Sequence, residues 1–380
     1  MKRAVIVNAL RTPIGRRNGS LSTIHPVDLT AQMLNGLVKE AGIDPALVDD
    51  VIWGCVSQIN EQASDIARSA VIAAGWPLTV PGVTIDRQCG SSQQAVHFAA
   101  AGLVAGHYDV AVAGGTEIMS LVEMGSTSGT ADCFGPTFVD RVGGYPSQGE
   151  GAELIARKWN LTRREMDELG FESHRRAAAS QDAGEFDAEI LPITLPDGRV
   201  FEKDEGIRRG GSVEDMGKIR PAFREDGLIA AGNASQISDG SSALLMMTEE
   251  KAAELGMTPI AAVHTVALGG DDPKLMLTAP IPATRNVFRR SGLGLADIGT
   301  FEFNEAFASA TLAWMQDIGA DHAKVNPQGG AIALGHPLGA SGTRLMTTLV
   351  HRMKREGIRY GLQTMCEGGG MSNATILELM

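Results

Sequence analysis

Cysteine is scarce in this chain, with four residues, Cys55, Cys89, Cys133 and Cys366, among 380. No two of them form a CxxC pair and no HExxH occurs, so spacing gives no support to a zinc site and no bound metal is expected. Four thiols in a chain of this length, without a secretory signal, do not make a disulfide framework; a reduced, cytoplasmic setting fits them better. Positive charge is short as well, with 33 Lys and Arg against 45 Asp and Glu and a formal net charge of −12. No long-range field therefore draws the molecule towards nucleic acid or an anionic membrane, and an anionic ligand has to be met locally. Long apolar runs are missing too. The longest informative uncharged stretch, Gln88 to Tyr108, is broken throughout by Gln, Ser, Gly and His, which lipid would penalise, so no membrane span is expected. At the start of the chain, Arg11 and Pro13 follow the apolar run Ala4–Val7 too soon for the core of a signal peptide. That run reads as a first strand.

What the chain does have is glycine, 46 residues of it, within an otherwise globular composition of 43% hydrophobic and 21% charged residues. The length allows two or three packed units. Two stretches far apart tell a similar story. A helical segment runs into Gly42 and then the apolar Val51-Ile52-Trp53-Gly54; later, Gly292 to Ile298 leads into Thr300-Phe301-Glu302-Phe303-Asn304. Val83 to Gln88 is a strand-like run entering Cys89-Gly90 and a small-residue helix, matched by Ala323 to Gln328 entering a Gly-rich turn and helix. Each half then has an apolar strand ending in glycines, Val110 to Gly115 and Gly361 to Cys366. Strand and helix in alternation argue an α/β class, and two such units argue an internal duplication with the halves side by side. Between them, residues 119–237 differ in texture, with Gly and Pro breaks and charged helices such as Leu161 to Gln181. The expected division is 1–118 completed by 238–259, an inserted loop domain over 119–237, and a second half over 260–380.

Four segments carry chemistry. Cys89, followed by Gly90-Ser91-Ser92, sits where a strand turns into a helix; free N–H groups and the helix dipole there favour thiolate, and the thiol is expected below its usual range. A buried structural cysteine is the plainer reading of such a residue alone. The run Asn326 to Gly342 holds five glycines in seventeen residues around His336, a density that lets backbone approach a ligand or another segment closely. Cys366 precedes Gly368-Gly369-Gly370, a thiol able to exchange a proton beside N–H groups that can point at an oxygen. Asn304 opens Asn304-Glu305-Ala306-Phe307-Ala308, where its amide can meet developing negative charge or merely cap a helix.

Taken together these segments resemble the thiolase family, and the resemblance covers nearly the whole chain. It implies duplicated βαβαβαββ halves packed as an α-β-α-β-α five-layer core with an inserted loop domain. It implies an acyltransferase that cleaves 3-ketoacyl-CoA thiolytically, or condenses acetyl-CoA with an acyl-CoA, through a Cys89 acyl-enzyme. Cys366 is then the acid/base, His336 helps generate the Cys89 thiolate, and Asn304 and His336 stabilise the thioester oxygen. The N–H groups of Cys89 and Gly368 hold the acyl-enzyme oxygen. Coenzyme A and acetyl-CoA enter as substrates, and no tightly bound cofactor is implied. The segment Ile207 to Arg224 has five basic side chains, Arg208, Arg209, Lys218, Arg220 and Arg224, against Glu214 and Asp215, a local answer to the charge of CoA. Arg208 and Phe223 match positions near the nucleotide, and Ser235 matches a pantetheine contact.

The chain departs from the family at Ser147-Gln148-Gly149, where many members carry His-Met-Gly, in a shorter segment from Leu121 to Tyr145, and at Glu367 and Ser372-Asn373. The first two fall where chain length and oligomer contacts are set, so a longer or bulkier acyl group, fatty or steroid-derived, is expected. A biosynthetic acetoacetyl-CoA thiolase and a non-catalytic lipid-binding paralogue are the alternatives. A decarboxylating ketosynthase lacks the second active-site cysteine, and a papain-like protease has no place for duplicated halves. The family also implies a homodimer or homotetramer.

Overall fold

The computed structural model describes residues 2–129, 131–144 and 147–380. Tyr145, which closes the segment read as short, lies outside them, as does Met1. The first half contains β1 (Ala4–Arg11), α1 (Pro26–Ala41), β2 (Asp50–Gly54), α2 (Ile66–Ala73), β3 (Gly82–Ile85), α3 (Ser91–Ala105) and β4 (Val110–Ile118), with β5 (Ser238–Thr248) added after the intervening segment. That segment holds α4 (Gln148–Lys158) and α5 (Arg163–Asp182). The second half runs β6 (Ala261–Gly270), α6 (Pro280–Ser291), β7 (Thr300–Phe303), α7 (Ala308–Ile318), α8 (Ser341–Glu356), β8 (Tyr360–Glu367) and β9 (Met371–Leu379).

Strand order repeats between the halves. In the first, β3-β2-β4-β5-β1 combines parallel pairing of β2 with β3 and β4 and antiparallel pairing of β5 with β4 and β1; in the second, β7-β8-β9-β6 combines parallel β7/β8 with antiparallel β8/β9 and β9/β6. The arrays join at their edges through a short antiparallel contact, Val5 opposite Ala262 and Ile6 opposite Ala261. The run Ala323 to Gln328, expected to match Val83 to Gln88 as a strand, makes only an isolated bridge from Val325 to Phe301. Pro327 brings no N–H to a ladder, Asn326 is left-handed with φ 45°, and the preceding residues coil into a short 3-10 turn, so no strand can extend there.

Both faces of each array are covered, which is why the strands read as continuous apolar runs rather than alternating ones. In β4, Val110 and Val112 face α1 and α2, while Ala111 and Ala113 face the central helices. Helix α3 is buried nearly all round, and its Ala95, Ala99 and Ala100 let it lie close to β4 on one side and to α8 on the other. Helix α8 packs on strands of both halves. On the far face of the second half, Trp314 of α7 sits over Phe301 and Phe303 at ring distances of 5.8 and 5.1 Å. Outer helices, first array, α3 with α8, second array and outer helices make five layers. The carboxyl ends of the parallel strands β2, β3, β4, β7 and β8 lead to the segments that carry the candidate residues, the usual place for ligands in α/β sheets.

Candidate active site

Cys89 follows β3 by a tight turn. Asp86 accepts from the Gln88 N–H at 2.6 Å and Ser91 Oγ accepts from the Arg87 N–H at 2.9 Å, which holds Gln88 in a left-handed conformation with φ 50°. That conformation costs a residue with a Cβ about 1 kcal/mol or more. Gly90 is the N-cap of α3, so the cysteine stands one residue before the cap. Its side chain is buried, 6% exposed, among Met119, Leu338, Leu345 and Met365. The thiol is not lowered, as its place at a helix start suggested. Burial pushes it well above its ordinary value, the nearby Cys366 and Glu367 push the same way, and the N–H groups of Cys89 and Gly368 offset them only in part.

His336 arrives on a turn that glycine makes possible. Gly335 has φ 108°, and a Cβ there would collide with Ser238, whose hydroxyl accepts from the His336 N–H at 3.2 Å. Ser341 Oγ donates to the Pro337 carbonyl at 2.8 Å, so it accepts from His336 Nδ1 at 2.6 Å. The ring proton therefore sits on Nδ1, and Nε2, 3.2 Å from Asn304 Nδ2, is the accepting nitrogen. Burial, and then the charge of Arg344, lower the imidazole to about 3, so the ring is neutral across the physiological range.

Asn304 stands at the end of β7, its N–H donating to the Thr364 carbonyl of β8 at 3.2 Å. The helix cap of α7 is Phe307, so Asn304 is not spent on capping, and its Oδ1 is buried without a partner among the described residues. Cys366 is the last residue but one of the parallel neighbour β8, 1% exposed, its thiol pushed up to about 12 by burial. The following glycines make the β8/β9 hairpin turn, with Gly369 and Gly370 left-handed at φ 83° and 77°, and this turn brings the Gly368 N–H to the Cys89 sulfur.

The glycine-rich run around His336 serves chain against chain as much as chain against ligand. A Cβ on Gly115 would strike the Gly339 carbonyl, and one on Gly342 would strike the backbone of Gln93 in α3. Glu117, at the end of β4, locks this arrangement by accepting from the N–H groups of Val56, Ser57 and Gly339 and from Gln62 Nε2, at 2.8–3.0 Å. Sequence reasoning passed over Glu117, which has no motif of its own. It also missed Ser341, which lay in view five residues beyond His336, and Ser238.

Cys366 and the Gly368 N–H thus meet Cys89, and Asn304 meets His336, while the three residues matched to CoA contacts are strung away from these pairs. The Ser235 N–H donates to the Ala306 carbonyl at 2.9 Å, beside Asn304. Phe223, 45% exposed, lies edge-on to Phe307 at 6.0 Å and against Gly149. Arg208 lines a separate cavity of about 330 Å³ with Phe171, His174 and Met216. The basic segment is less free than its composition implied. Arg209 is paired with Asp182, Lys218 with Asp215 and Arg224 with Glu150, leaving Arg208 and Arg220 without a salt bridge among the described residues. A more open depression of about 960 Å³, lined by Glu40, Asp44, His351 and Lys354, contains none of the candidate residues. No cluster of three metal-ligating side chains occurs among the described residues.

Comparison with known proteins agrees in kind. The profile of the thiolase N-terminal domain matches residues 4–250 and that of the thiolase C-terminal domain matches residues 257–379. A protein of Mycobacterium tuberculosis named steroid 3-ketoacyl-CoA thiolase is 49% identical, over 100% of this chain and 94% of its own length. A 3-ketoacyl-CoA thiolase of Bacillus subtilis is 40% identical over the full length of both. The crystal structure of the Bacillus anthracis acetyl-CoA acetyltransferase superposes with a TM-score of 0.93 at 38% identity, covering 100% of this chain and 99% of that one.

Proposed function

The chain belongs to the thiolase family and is an acyltransferase of acyl-CoA thioesters, and within that chemistry we propose Cys89 as the nucleophile that carries the acyl group. In the cleaving direction the Cys89 sulfur attacks the keto carbon of a 3-ketoacyl-CoA while its proton passes to His336 Nε2. Asn304, and then the protonated Nε2, meet negative charge on the thioester oxygen, and the N–H groups of Cys89 and Gly368 meet the oxygen of the acyl-enzyme. The carbon–carbon bond breaks, and Cys366 gives its proton to the departing acetyl-CoA carbanion. CoA then transfers its thiol proton to Cys366 and takes the acyl group from Cys89, whose departing sulfur recovers its proton from His336. In reverse, the Cys366 thiolate removes the α-proton of acetyl-CoA. The observation that carries this reading is the neutral His336, with Nδ1 committed to Ser341 and Nε2 left unprotonated, as an acceptor, beside Asn304. A site in which both thiols rest protonated needs such a base.

Arg208, Phe223 and Ser235 we assign to CoA, with Ser235 along the pantetheine arm and Arg208 and Phe223 near the nucleotide. The units are 1–118 with 238–259, the loop domain 119–237, and 260–380. Homodimerisation through the nucleophile-bearing half is supported by the open edge of β3, where Val83 and, beside it on α3, Phe98 are 41% and 47% exposed; pairing of dimers into a tetramer is the further possibility within the family. Four free cysteines support a cytoplasmic setting; among the described residues no helix is long and apolar enough to cross a membrane.

For the substrate, the 49% identity to a protein named for steroid 3-ketoacyl-CoA and Ser147-Gln148-Gly149 at the start of α4 favour an acyl group larger than acetoacetyl, fatty or steroid-derived. Measured side by side, kcat/KM should be at least about tenfold higher for a long-chain or steroid-derived 3-ketoacyl-CoA than for acetoacetyl-CoA, since one or two well-buried methylenes already supply that much discrimination. A clear preference for acetoacetyl-CoA would assign the chain to acetoacetyl-CoA metabolism instead.

A further inference from the structure

Glu367 has no part in the chemistry above, yet it stands between Cys366 and Gly368, the residues that meet Cys89 from the second half. Side chains alternate along a strand. Gln363 and Met365 of β8 face Gln93 and Cys89 in the middle of the molecule, and Glu367 falls on their side. It is 0% exposed, and neither carboxyl oxygen has a hydrogen-bond partner among the described residues, an unusual state for a buried acid.

Its surroundings are specific. The carboxyl lies against Gly90, where a Cβ would collide with Oε1, so the N-cap of α3 has to be glycine for the carboxyl to fit. From β9, Asn373 Nδ2 donates to the Gly90 carbonyl at 3.1 Å, its N–H approaches the carboxyl without bonding to it, and its Oδ1 is also buried and unpartnered. The positive charge acting on Glu367 is Arg87, from the turn that carries Cys89, whose Nε is likewise buried without a partner. The other titratable neighbours are Cys89 on that turn and Cys366 on its own strand; Arg87 in turn acts on His97 of α3, which is neutral and hydrogen-bonded to Thr375 Oγ1 at 2.7 Å.

From this placement we propose that Glu367 is a positioning residue acting through Cys89: its carboxyl, wedged between the Cys89 turn and the end of the Cys366 strand, opposes a second negative charge on the nucleophile, and Arg87 moderates that opposition. Three acids share one low-dielectric region, and ionising any one of them makes the others harder to ionise. Burial raises the Glu367 carboxyl to about 8 against the pull of Arg87, and both thiols are raised by its charge. Once Glu367 is ionised the effect adds to burial in keeping Cys89 a thiol until a bound substrate and His336 take its proton. The proposal rests on Cys89 as the nucleophile.

The rate at which iodoacetamide alkylates Cys89 reports thiolate directly, because the thiolate displaces iodide and forms the S–C bond. It should be followed from pH 6 upward to the limit at which the enzyme stays folded, with the modified residue identified by mass spectrometry. Glu367→Gln keeps the shape, removes the charge and offers an N–H to Asn373 Oδ1. It should move the midpoint down by about one pH unit, a tenfold faster reaction on the rising limb, and Arg87→Met should move it up. A merely structural role for Glu367 would change the rate at every pH and leave the midpoint in place, and unchanged midpoints with Cys89 still labelled overturn the proposal alone. Should Glu367→Gln fail to fold, the absence of an upward shift in Arg87→Met overturns it equally. Labelling that never reaches Cys89 in the unaltered enzyme would overturn the nucleophile assignment, and this proposal with it.

Discussion

Cys366→Ala should stop carbon–carbon bond making and breaking while leaving Cys89 able to accept an acyl group. Thiolysis of a 3-ketoacyl-CoA is expected to fall by roughly 10²–10⁴-fold, the range that a positioned acid/base contributes. Exchange of an acetyl group between acetyl-CoA and labelled CoA generates no carbanion and should fall far less. The split follows from the thiol's state. Held up to about 12 by burial, Cys366 is a proton donor at rest, suited to quenching a carbanion and unsuited to competing with Cys89 for the acyl group. Equal losses in thiolysis and exchange would mean that Cys366 serves both steps alike.

His336→Ala should slow both steps together, by about 10³-fold or more. It removes the base that takes the Cys89 proton and the donor that the protonated Nε2 becomes, and one such donor alone is worth on the order of 10²–10³ in kcat. Because the ring is held near 3 by burial and Arg344, the unaltered enzyme should show no acid limb from His336 between pH 5 and 8; a falling limb near the usual histidine value would mean the ring is far more hydrated than its surroundings indicate. Loss of thiolysis with acetyl exchange intact would transfer the proton-accepting role to another residue.

Much of this site was legible in the sequence because each key residue is announced by its neighbours. Cys89 stands between a strand and small helix-starting residues, Cys366 before three glycines and His336 inside a glycine-dense turn, and local geometry follows from such short contexts. Charge state was not legible. A helix start argued for a lowered Cys89, but the chain also buries that sulfur and sets Cys366 and Glu367 near it from the other half, a contact between residues nearly three hundred positions apart. The basic run 207–224 was read as free cations, whereas Asp182 and Glu150, distant in sequence, occupy two of them. Ala323 to Gln328 was matched to the strand-like run Val83 to Gln88, and one proline with one left-handed asparagine was enough to prevent a strand there. Glu117 shows the opposite failure: a single acid with four donors converging on it from three segments leaves no trace in its own neighbourhood.

The central claim is that the sulfur of Cys89 carries the acyl group. Incubating the enzyme with acetyl-CoA in the absence of free CoA, then mapping peptides by mass spectrometry, tests it most directly. One acetyl group is expected on Cys89, present in Cys366→Ala and absent from Cys89→Ala. An acetyl group on Cys366 or Cys133 with Cys89 unmodified, or one that persists in Cys89→Ala, would contradict the account.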